Sequence, residues 1–298
     1  MKLEKCTAFF AILLLTLTAP AEVFADKAET VTAKIAEIDK FLDVEKKLSA
    51  LQSKYEMDEI LIILDIDNTI LTSSIDLGGD VWYQWQTGKL AIKPTNEQKV
   101  KCLFKDTIGL LYELNPMKLT EHDLAERIAD WQRSGISLFA LTSRAPNARS
   151  ATERELYNKG IDLEKTALAP SGQEVPIYRE TTERELSYMK GIMMTSGMNK
   201  GDMIEYILNK TQRRFKAIVF VDDSRKNIDA VYKKYKNNRS IDMNIFHYVR
   251  VEELRKKNYG SVITHEQVEK MDSDWKKLNQ LLENIFPARV KTDACLTL

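Results

Sequence analysis

Two carboxylates that follow an apolar stretch are the first candidates for chemistry in this chain. The run Ile60–Leu64 ends in Asp65 and Asp67, with Thr69 two residues further on. Five apolar residues in a row predict a strand that is buried on both faces, as in parallel sheets. Open α/β sheets bind ligands at the carboxyl ends of such strands. The pattern therefore predicts a functional site, although a Ca²⁺-binding or turn-forming acidic loop would have the same composition.

Two later apolar segments also end in polar side chains. The segments are residues 136–141 and 217–221, and Lys200 lies between them, just before a predicted helix. The polar residues that follow them are Thr142, Ser143 and Arg144 in the first case and Asp222 and Asp223 in the second. Helix-to-strand connections of this kind fit a βαβ arrangement, in which the strand ends meet at one edge of the sheet.

The ordered set of polar residues resembles the four motifs of the haloacid-dehalogenase superfamily, most of whose members are phosphatases. The residues that carry the resemblance are Asp65, Asp67, Thr142, Lys200 and Asp222. The chain is similar to secreted acid phosphatases of this superfamily in having a signal peptide and a helical insertion after the first motif. In more detail, it resembles a secreted bacterial family of such proteins. The resemblance implies a Rossmann-like α/β core, with a mostly parallel sheet flanked by helices and a small helical cap inserted after the first motif.

The resemblance also implies a role for each residue. Asp65 would attack phosphorus and form an aspartyl phosphate. Asp67 would protonate the leaving oxygen and then deprotonate the hydrolytic water. Thr142 and Lys200 would bind the phosphoryl group, and the backbone N–H of Asn68 would donate to it as well.

The superfamily places a Mg²⁺ ion among oxygen ligands, which here would be the Asp65 and Asp222 carboxylates and the Asp67 backbone carbonyl. The cation would cancel the repulsion between Asp65 and a dianionic phosphate. Asp223 is expected either to orient the waters of the metal or to cap the following helix, and Ser143 is a further candidate for substrate contact.

Other candidate residues carry weaker signals. Arg144 is expected either to contact substrate or to make a surface ion pair. The glycine pair and clustered aromatic residues of segment 78–85 predict a loop or flap near the site, or simply an anchor for the cap. None of the Cys and His residues has zinc-like spacing, which argues against zinc chemistry and against histidine-based acid–base catalysis.

Strand and helix patterns alternate along the chain, which predicts an α/β class with a mostly parallel sheet. The expected organisation is a signal peptide at 1–25, an N-terminal helical segment at 26–57, a core formed by 58–71 and 119–298, and a helical cap at 72–118. Helices are expected over residues 26–55, with a bend, over 94–114, from an Asp202 cap to Leu208, and over 264–285.

The N-terminus has the composition of a secretory signal peptide. Lys2 and Lys5 precede an apolar run over residues 8–17, and small residues end at Ala25. The run is too short to span a bilayer, and cleavage would leave Asp26 first. We expect an exported protein, periplasmic or secreted, without stable membrane association after cleavage. A buried N-terminal helix is the alternative.

Export permits a disulfide between Cys102 and Cys295 without implying one. The last four residues, from Cys295, resemble a prenylation box, which would matter only in a eukaryotic cytosol. A plain C-terminal tail is the third alternative for this segment.

The composition narrows the classes of partner that the chain is expected to bind. The 298 residues are 44% hydrophobic and contain 44 basic and 44 acidic side chains, so the chain has no global attraction to nucleic acid or to anionic membranes. We expect a secreted, Mg²⁺-dependent phosphomonoesterase that acts on a small-molecule phosphoester. A phosphotransferase of the same fold and a non-catalytic secreted binding or effector protein are the alternatives. The sequence leaves the substrate and the oligomeric state open.

Overall fold

The computed structural model describes residues 32–287. The expected signal peptide at 1–25 and the tail that contains Cys295 lie outside the described residues, and so does any disulfide to Cys295. Within 32–287, the helices are all too short or too polar to cross a membrane.

The described chain alternates strands and helices. The strands are β1 (Lys34–Ile38), β2 (Ile60–Leu64), β3 (Leu71–Ser73), β4 (Met117–Leu119), β5 (Ser137–Thr142), β6 (Tyr178–Thr181), β7 (Glu185–Met189), β8 (Ile192–Met194), β9 (Ala217–Asp222) and β10 (Asp242–Tyr248). The α-helices are α1 (Phe41–Gln52), α2 (Asp80–Gln86), α3 (Ile108–Leu114), α4 (Leu124–Arg133), α5 (Arg149–Asn158), α6 (Lys200–Thr211), α7 (Arg225–Tyr235), α8 (Arg250–Tyr259) and α9 (His265–Ile285).

One sheet organises the molecule. Its eight strands lie in the order β1-β10-β9-β2-β5-β8-β7-β6. Along this order, all neighbouring strands from β1 as far as β8 pair in parallel. The hairpin of β7 and β6 then completes the sheet with antiparallel pairs. The predicted mixed α/β fold with a mostly parallel central sheet flanked by helices is confirmed.

The central strands are buried because apolar residues face both sides of the sheet. Every residue of β2 and β9 is buried. Ile60, Ile62 and Leu64 join one apolar cluster with α1 and α4, whereas Leu61 and Ile63 join a second cluster with α6 and α7. β2 pairs in parallel with β5 and β9, and its carboxyl end therefore points to the same edge as theirs.

The N-terminal segment differs from its predicted helix. Residues 34–38 form strand β1, which pairs in parallel with β10, and the helix begins only at Phe41. The apolar spacing of this segment fits a helix locally. Pairing with the open edge of β10 outweighs that weak local preference, because an edge strand otherwise leaves its backbone groups unpaired.

Two other helix predictions need correction. The predicted helix 94–114 is helical only from 103, as a π-helical turn (Leu103–Thr107) that leads into α3. The predicted Asp202 cap is wrong, because the Asn199 side chain accepts from the N–H groups of Gly201 and Asp202 and the helix begins at Lys200. The expected flap at 78–85 contains α2, and α8 was not predicted.

Residues 72–118, which the sequence predicts to be a cap, contain the two short helices α2 and α3. β3 and β4 pair as antiparallel strands at the base of this segment, and α2 and α3 lie between them in sequence. Trp82 and Trp85 of α2 are fully buried in a cluster that also contains Val268 and Met271 of α9. The last helix, which the sequence assigns to the core, therefore packs against the cap, while the boundaries of core and cap stay predictions.

The contact between Trp82 and Trp275, with ring centroids 6.5 Å apart, provides a test of this packing. A double-mutant cycle with Trp82→Leu and Trp275→Leu should give a coupling energy of about 0.5–1.5 kcal/mol, measured by denaturant unfolding. As a control, Trp275→Leu combined with Ile204→Val in α6 should be additive within about 0.5 kcal/mol. Additivity in the tryptophan pair would contradict the packing of α9 on the cap.

Candidate active site

The polar residues predicted from three strand ends do converge. β5 and β9 flank β2 in the sheet, and all three strands run in the same direction. Asp65 therefore follows β2 beside Thr142 at the end of β5 and Asp222 at the end of β9. Asp65 is 5% exposed, and Thr142 and Asp222 are fully buried.

A buried lysine joins two of these carboxylates. The Nζ atom of Lys200 donates to Asp65 Oδ1 at 2.5 Å and to Asp222 Oδ2 at 2.6 Å. Lys200 is the first residue of α6 and is fully buried. The Asn199 cap fixes where α6 begins, and the chain thereby brings a residue 135 positions from Asp65 into direct contact with it.

Asp222 is held by further donors from its own loop. Its Oδ1 accepts from the backbone N–H of Ser224 at 2.8 Å, and the Asn227 side chain donates to both carboxylate oxygens at 3.0 and 3.1 Å. Asn227 lies in the first turn of α7, and the helix thus orients the carboxylate.

Three carboxylates are close enough to share a cation. One oxygen each from Asp65, Asp222 and Asp223 lie within 4.8 Å of one another. Ser224, and not Asp223, occupies the N-cap of α7, so the capping alternative for Asp223 is wrong. An all-oxygen set of carboxylates is the donor chemistry that Mg²⁺ prefers, and the residues present therefore fit this ion.

Asp67 lies beside the group but pairs elsewhere. Arg144 donates from Nε to Asp67 Oδ2 at 2.9 Å and from a terminal nitrogen to Asp67 Oδ1 at 2.7 Å. The side chain of Arg144 is 1% exposed and that of Asp67 is 21% exposed. Of the two alternatives for Arg144, substrate contact and a surface ion pair, the second is corrected to a buried bidentate pair with the predicted acid–base residue, and Arg144 also lines the cavity described below.

Asn68 does not offer its backbone N–H to a ligand, in contrast to the prediction. This N–H donates to the carbonyl of Leu71 at 2.7 Å, because Asn68 takes a left-handed conformation (φ 55°) in a tight turn. Its side chain accepts from the Thr72 hydroxyl and donates to Asp80 Oδ2 at 2.9 Å. Asn68 thus links the loop after β2 to α2 of the cap.

The two hydroxyl residues at the end of β5 differ in access. The hydroxyl of Thr142 accepts from the backbone N–H of Arg144 at 3.1 Å, and Thr142 is not among the residues that line the adjoining cavity. Ser143 is exposed and lines that cavity. Of the two, Ser143 thus faces the space that a substrate would enter.

A cavity of about 1000 Å³ lies over these residues. Asp65, Asp67 and Asp223 line it from the core, and cap residues line it from the other side. The cap residues include Asp80, Tyr83, Phe104 and Tyr112. The cap thus covers the strand ends and encloses a space large enough for a small organic molecule.

Sequence comparison places the chain in a family. A family model described as "Protein of unknown function (DUF2608)" matches residues 36–288. The chain belongs to this family. A Chlamydia pneumoniae protein named "Putative outer membrane protein" is 23% identical over 174 residues, which are 58% of this chain and 63% of that protein. The chain thus matches less than two thirds of the length of that relative.

Two solved structures are similar at a low level. A haloacid-dehalogenase-like hydrolase from Streptococcus pneumoniae has a TM-score of 0.34 and 13% identity, over 67% of this chain and 99% of the other. A cytosolic 5'-nucleotidase IIIB bound to cytidine has a TM-score of 0.34 and 14% identity, over 80% of this chain and 92% of the other.

The electrostatics of this DUF2608 site reflect crowded carboxylates. Burial raises the pKa of Asp65, with Lys200 opposing and Asp222 reinforcing the shift. Burial, followed by the charge of Asp80, also raises the pKa of Asp223. Burial alone would lower the pKa of Lys200, but Asp222 and Asp65 outweigh it and raise that pKa. A divalent cation would relieve the repulsion among the acids.

Sequence reasoning missed three residues of this site. Asp80 and Tyr112 lie in the cap, where distance along the chain hides their proximity to Asp67. Asn227 was left unmarked, although its position five residues after Asp222 puts it in the first turn of the next helix. That spacing was the one signal in the sequence that could have found it.

Asp80 yields a prediction about pH. Burial, and then repulsion from Asp67, raise the pKa of Asp80 to about 6 from an ordinary 3.8. The folded state then binds more protons than the unfolded state between these values, so this group lowers the free energy of unfolding as pH rises through the window. Asp80→Asn should therefore stabilise the protein more at pH 7 than at pH 4, by up to about 3 kcal/mol.

Thermal unfolding of wild type and variant at both pH values measures the difference. Asp58→Asn replaces an exposed carboxylate outside the cavity and serves as the control, with no comparable gain expected. A stability difference for Asp80→Asn that is the same at pH 4 and pH 7 would contradict the prediction.

Proposed function

We propose that the chain is a Mg²⁺-dependent phosphomonoesterase that acts through an aspartyl phosphate on a small-molecule phosphoester. The observation that carries the proposal is the buried contact of Lys200 with both Asp65 and Asp222 at the ends of parallel strands. A carboxylate nucleophile, a fixed cation and a second carboxylate in one site are the parts that phosphoryl transfer requires.

The chain's own residues account for both halves of the reaction. Asp65 attacks phosphorus while the bond to the leaving oxygen breaks, and Asp67 gives its proton to that oxygen. Water then attacks the aspartyl phosphate, Asp67 takes the proton of the water, and Asp65 is released with inorganic phosphate. Lys200 and the hydroxyl of Thr142 stabilise the charge on the phosphoryl oxygens.

Asp65 and Asp222 would hold the metal ion, together with the backbone carbonyl of Asp67. Asp223 lies close enough to the other two carboxylates to bind the ion or its waters. The ion, when bound, supplies positive charge that lets an anionic nucleophile approach an anionic phosphate. Ser143 and the cap residues that face the cavity would contact the rest of the substrate.

Export forms part of the proposal. The composition of residues 1–25 supports a signal peptide. The chlamydial relative, which is named "Putative outer membrane protein", supports export. We expect the exported, periplasmic or secreted protein to begin at Asp26, and mass spectrometry of the exported form measures this directly. Retention of residues 1–25 on that form would contradict the signal peptide.

The mature protein should hydrolyse simple phosphomonoesters in the presence of Mg²⁺, and EDTA should abolish turnover. Asp65→Asn should lower kcat by at least about 10³-fold without loss of the fold, because the amide has nearly the same shape but is not a nucleophile. Phosphate release and circular dichroism measure the two effects. Unchanged turnover in Asp65→Asn would reject the mechanism, and a wild type without turnover would favour a binding protein.

Mg²⁺ should also raise the melting temperature of the wild type, because the folded state binds the ion and the unfolded chain does not. Asp222→Ala should remove most of this gain, since it deletes a ligand. Thr142→Val is the matched control at the neighbouring strand end, and it should keep the gain because Thr142 supplies no carboxylate to the ion. Equal loss of the gain in both variants would show that the two strand ends are misassigned.

A further inference from the structure

The contacts of Arg144 involve four separate parts of the molecule. Arg144 follows β5, and it bonds Asp67 in the loop after β2 through two nitrogens. Its third nitrogen donates to the hydroxyl of Thr152 in α5 at 2.8 Å. The ring of Tyr112, from α3 of the cap, lies 4.1 Å from the guanidinium carbon. A charged side chain that is 1% exposed is thus held on every side.

The pairing geometry constrains Asp67 in a specific way. Two parallel N–H···O bonds fix both the position of a carboxylate and its rotation, which a single bond does not. Asp67 is 21% exposed and lines the cavity, so the pair holds it at the cavity surface without enclosing it. Each carboxylate oxygen has a second lone pair, which remains available for a proton.

We propose that Arg144 is a positioning residue for the acid–base group Asp67 and that Tyr112 connects this pair to the cap. The inference rests on the proposed function, because it concerns the proton transfers of that reaction. Proton transfer needs donor and acceptor atoms within about 2.6–3.2 Å, and a misplacement of about 1 Å can cost roughly 10²-fold in rate. Because Tyr112 of the cap contacts Arg144, the position of the cap is linked to the placement of the Asp67 carboxylate for proton transfer.

The proposal differs from direct substrate binding by Arg144. If Arg144 bound the phosphate group of the substrate directly, its removal would weaken the binding of every substrate. The KM values of all substrates would then rise by the same factor. A positioning residue for a general acid acts on the step in which the leaving group needs a proton. Alkoxide leaving groups need that proton, whereas p-nitrophenolate leaves with little help. The ratio of kcat/KM for the two substrate types therefore separates the two roles, because kcat/KM reports the step in which the leaving group departs and not the later hydrolysis that both substrates share.

The test compares p-nitrophenyl phosphate with glycerol phosphate in Arg144→Met. The kcat/KM for glycerol phosphate should fall at least about tenfold more than that for p-nitrophenyl phosphate. In a background that already carries Asp67→Asn, the same change should have little further effect, because the two residues act as a unit. Tyr112→Ala should show the same direction with a smaller change, and Tyr112→Phe, which keeps the ring, should restore the wild-type ratio.

A matched control removes a neighbouring arginine. Arg149 has a side chain that is 13% exposed and bonds Ser187 and nearby carbonyl groups, away from Asp67. Arg149→Met should lower the melting temperature without altering the substrate ratio. If Arg144→Met does not fold, Arg144→Lys keeps the charge but loses the bidentate pair, and it should show the same selective loss.

Three outcomes would overturn the inference. They are equal losses for both substrates, a change of KM alone, and full additivity with Asp67→Asn. The proposed function is judged separately, by wild-type turnover that disappears in Asp65→Asn. If the wild type is a phosphatase but its substrate ratio does not change in the Arg144 variants, the proposed function stands and only the positioning role of Arg144 is rejected.

Discussion

The structure depends on one buried ammonium group. Asp65 and Asp222 lie at adjacent strand ends, and the Lys200 side chain that bonds both of them is fully buried. Leaving one member of such a group unpaired typically costs about 3–5 kcal/mol, so the contact constrains the surrounding fold. The start of α6 must be exact, and α6 must pack tightly on α7. Gly201 permits that packing, since a Cβ atom there would lie 2.9 Å from Lys234 Cβ.

Two cationic side chains bond to different carboxylates of the site. Lys200 serves Asp65 and Asp222, whereas Arg144 serves Asp67. Asp80 receives hydrogen bonds from amide groups in place of a cation, and burial and repulsion raise its pKa. The carboxylates named above therefore outnumber the two cationic side chains, Lys200 and Arg144, that bond to them. Such a balance suits a divalent ion, and burial raises the pKa values of Asp65, Asp80 and Asp223, which all line the cavity.

The cap is tied to both the core and the C-terminal helices. Asn68 reaches Asp80, and Arg144 lies under Tyr112. On its outer side the cap shares an apolar cluster with α9, and Arg255 of α8 pairs with Asp76 at 2.7 Å. Residues near the end of the described chain thus help to place the cap over strand ends that come from its first half. Any motion of the cap would have to carry α9 with it or break this cluster.

The sequence by itself determined the central strands and the residues at their ends. Continuous apolar runs such as Ile60–Leu64 can only be buried on both faces, and in parallel strands that places the following residues at one edge. The assignment of helix to residues 34–38, the wrong helix cap at Asp202 and the proposed N–H donor at Asn68 failed, because each depends on a competing partner. Only the tertiary structure decided those partners, together with the Arg144–Asp67 pair, which joins residues 77 positions apart. Local pattern describes burial well, but a polar side chain bonds whichever group the fold brings to it.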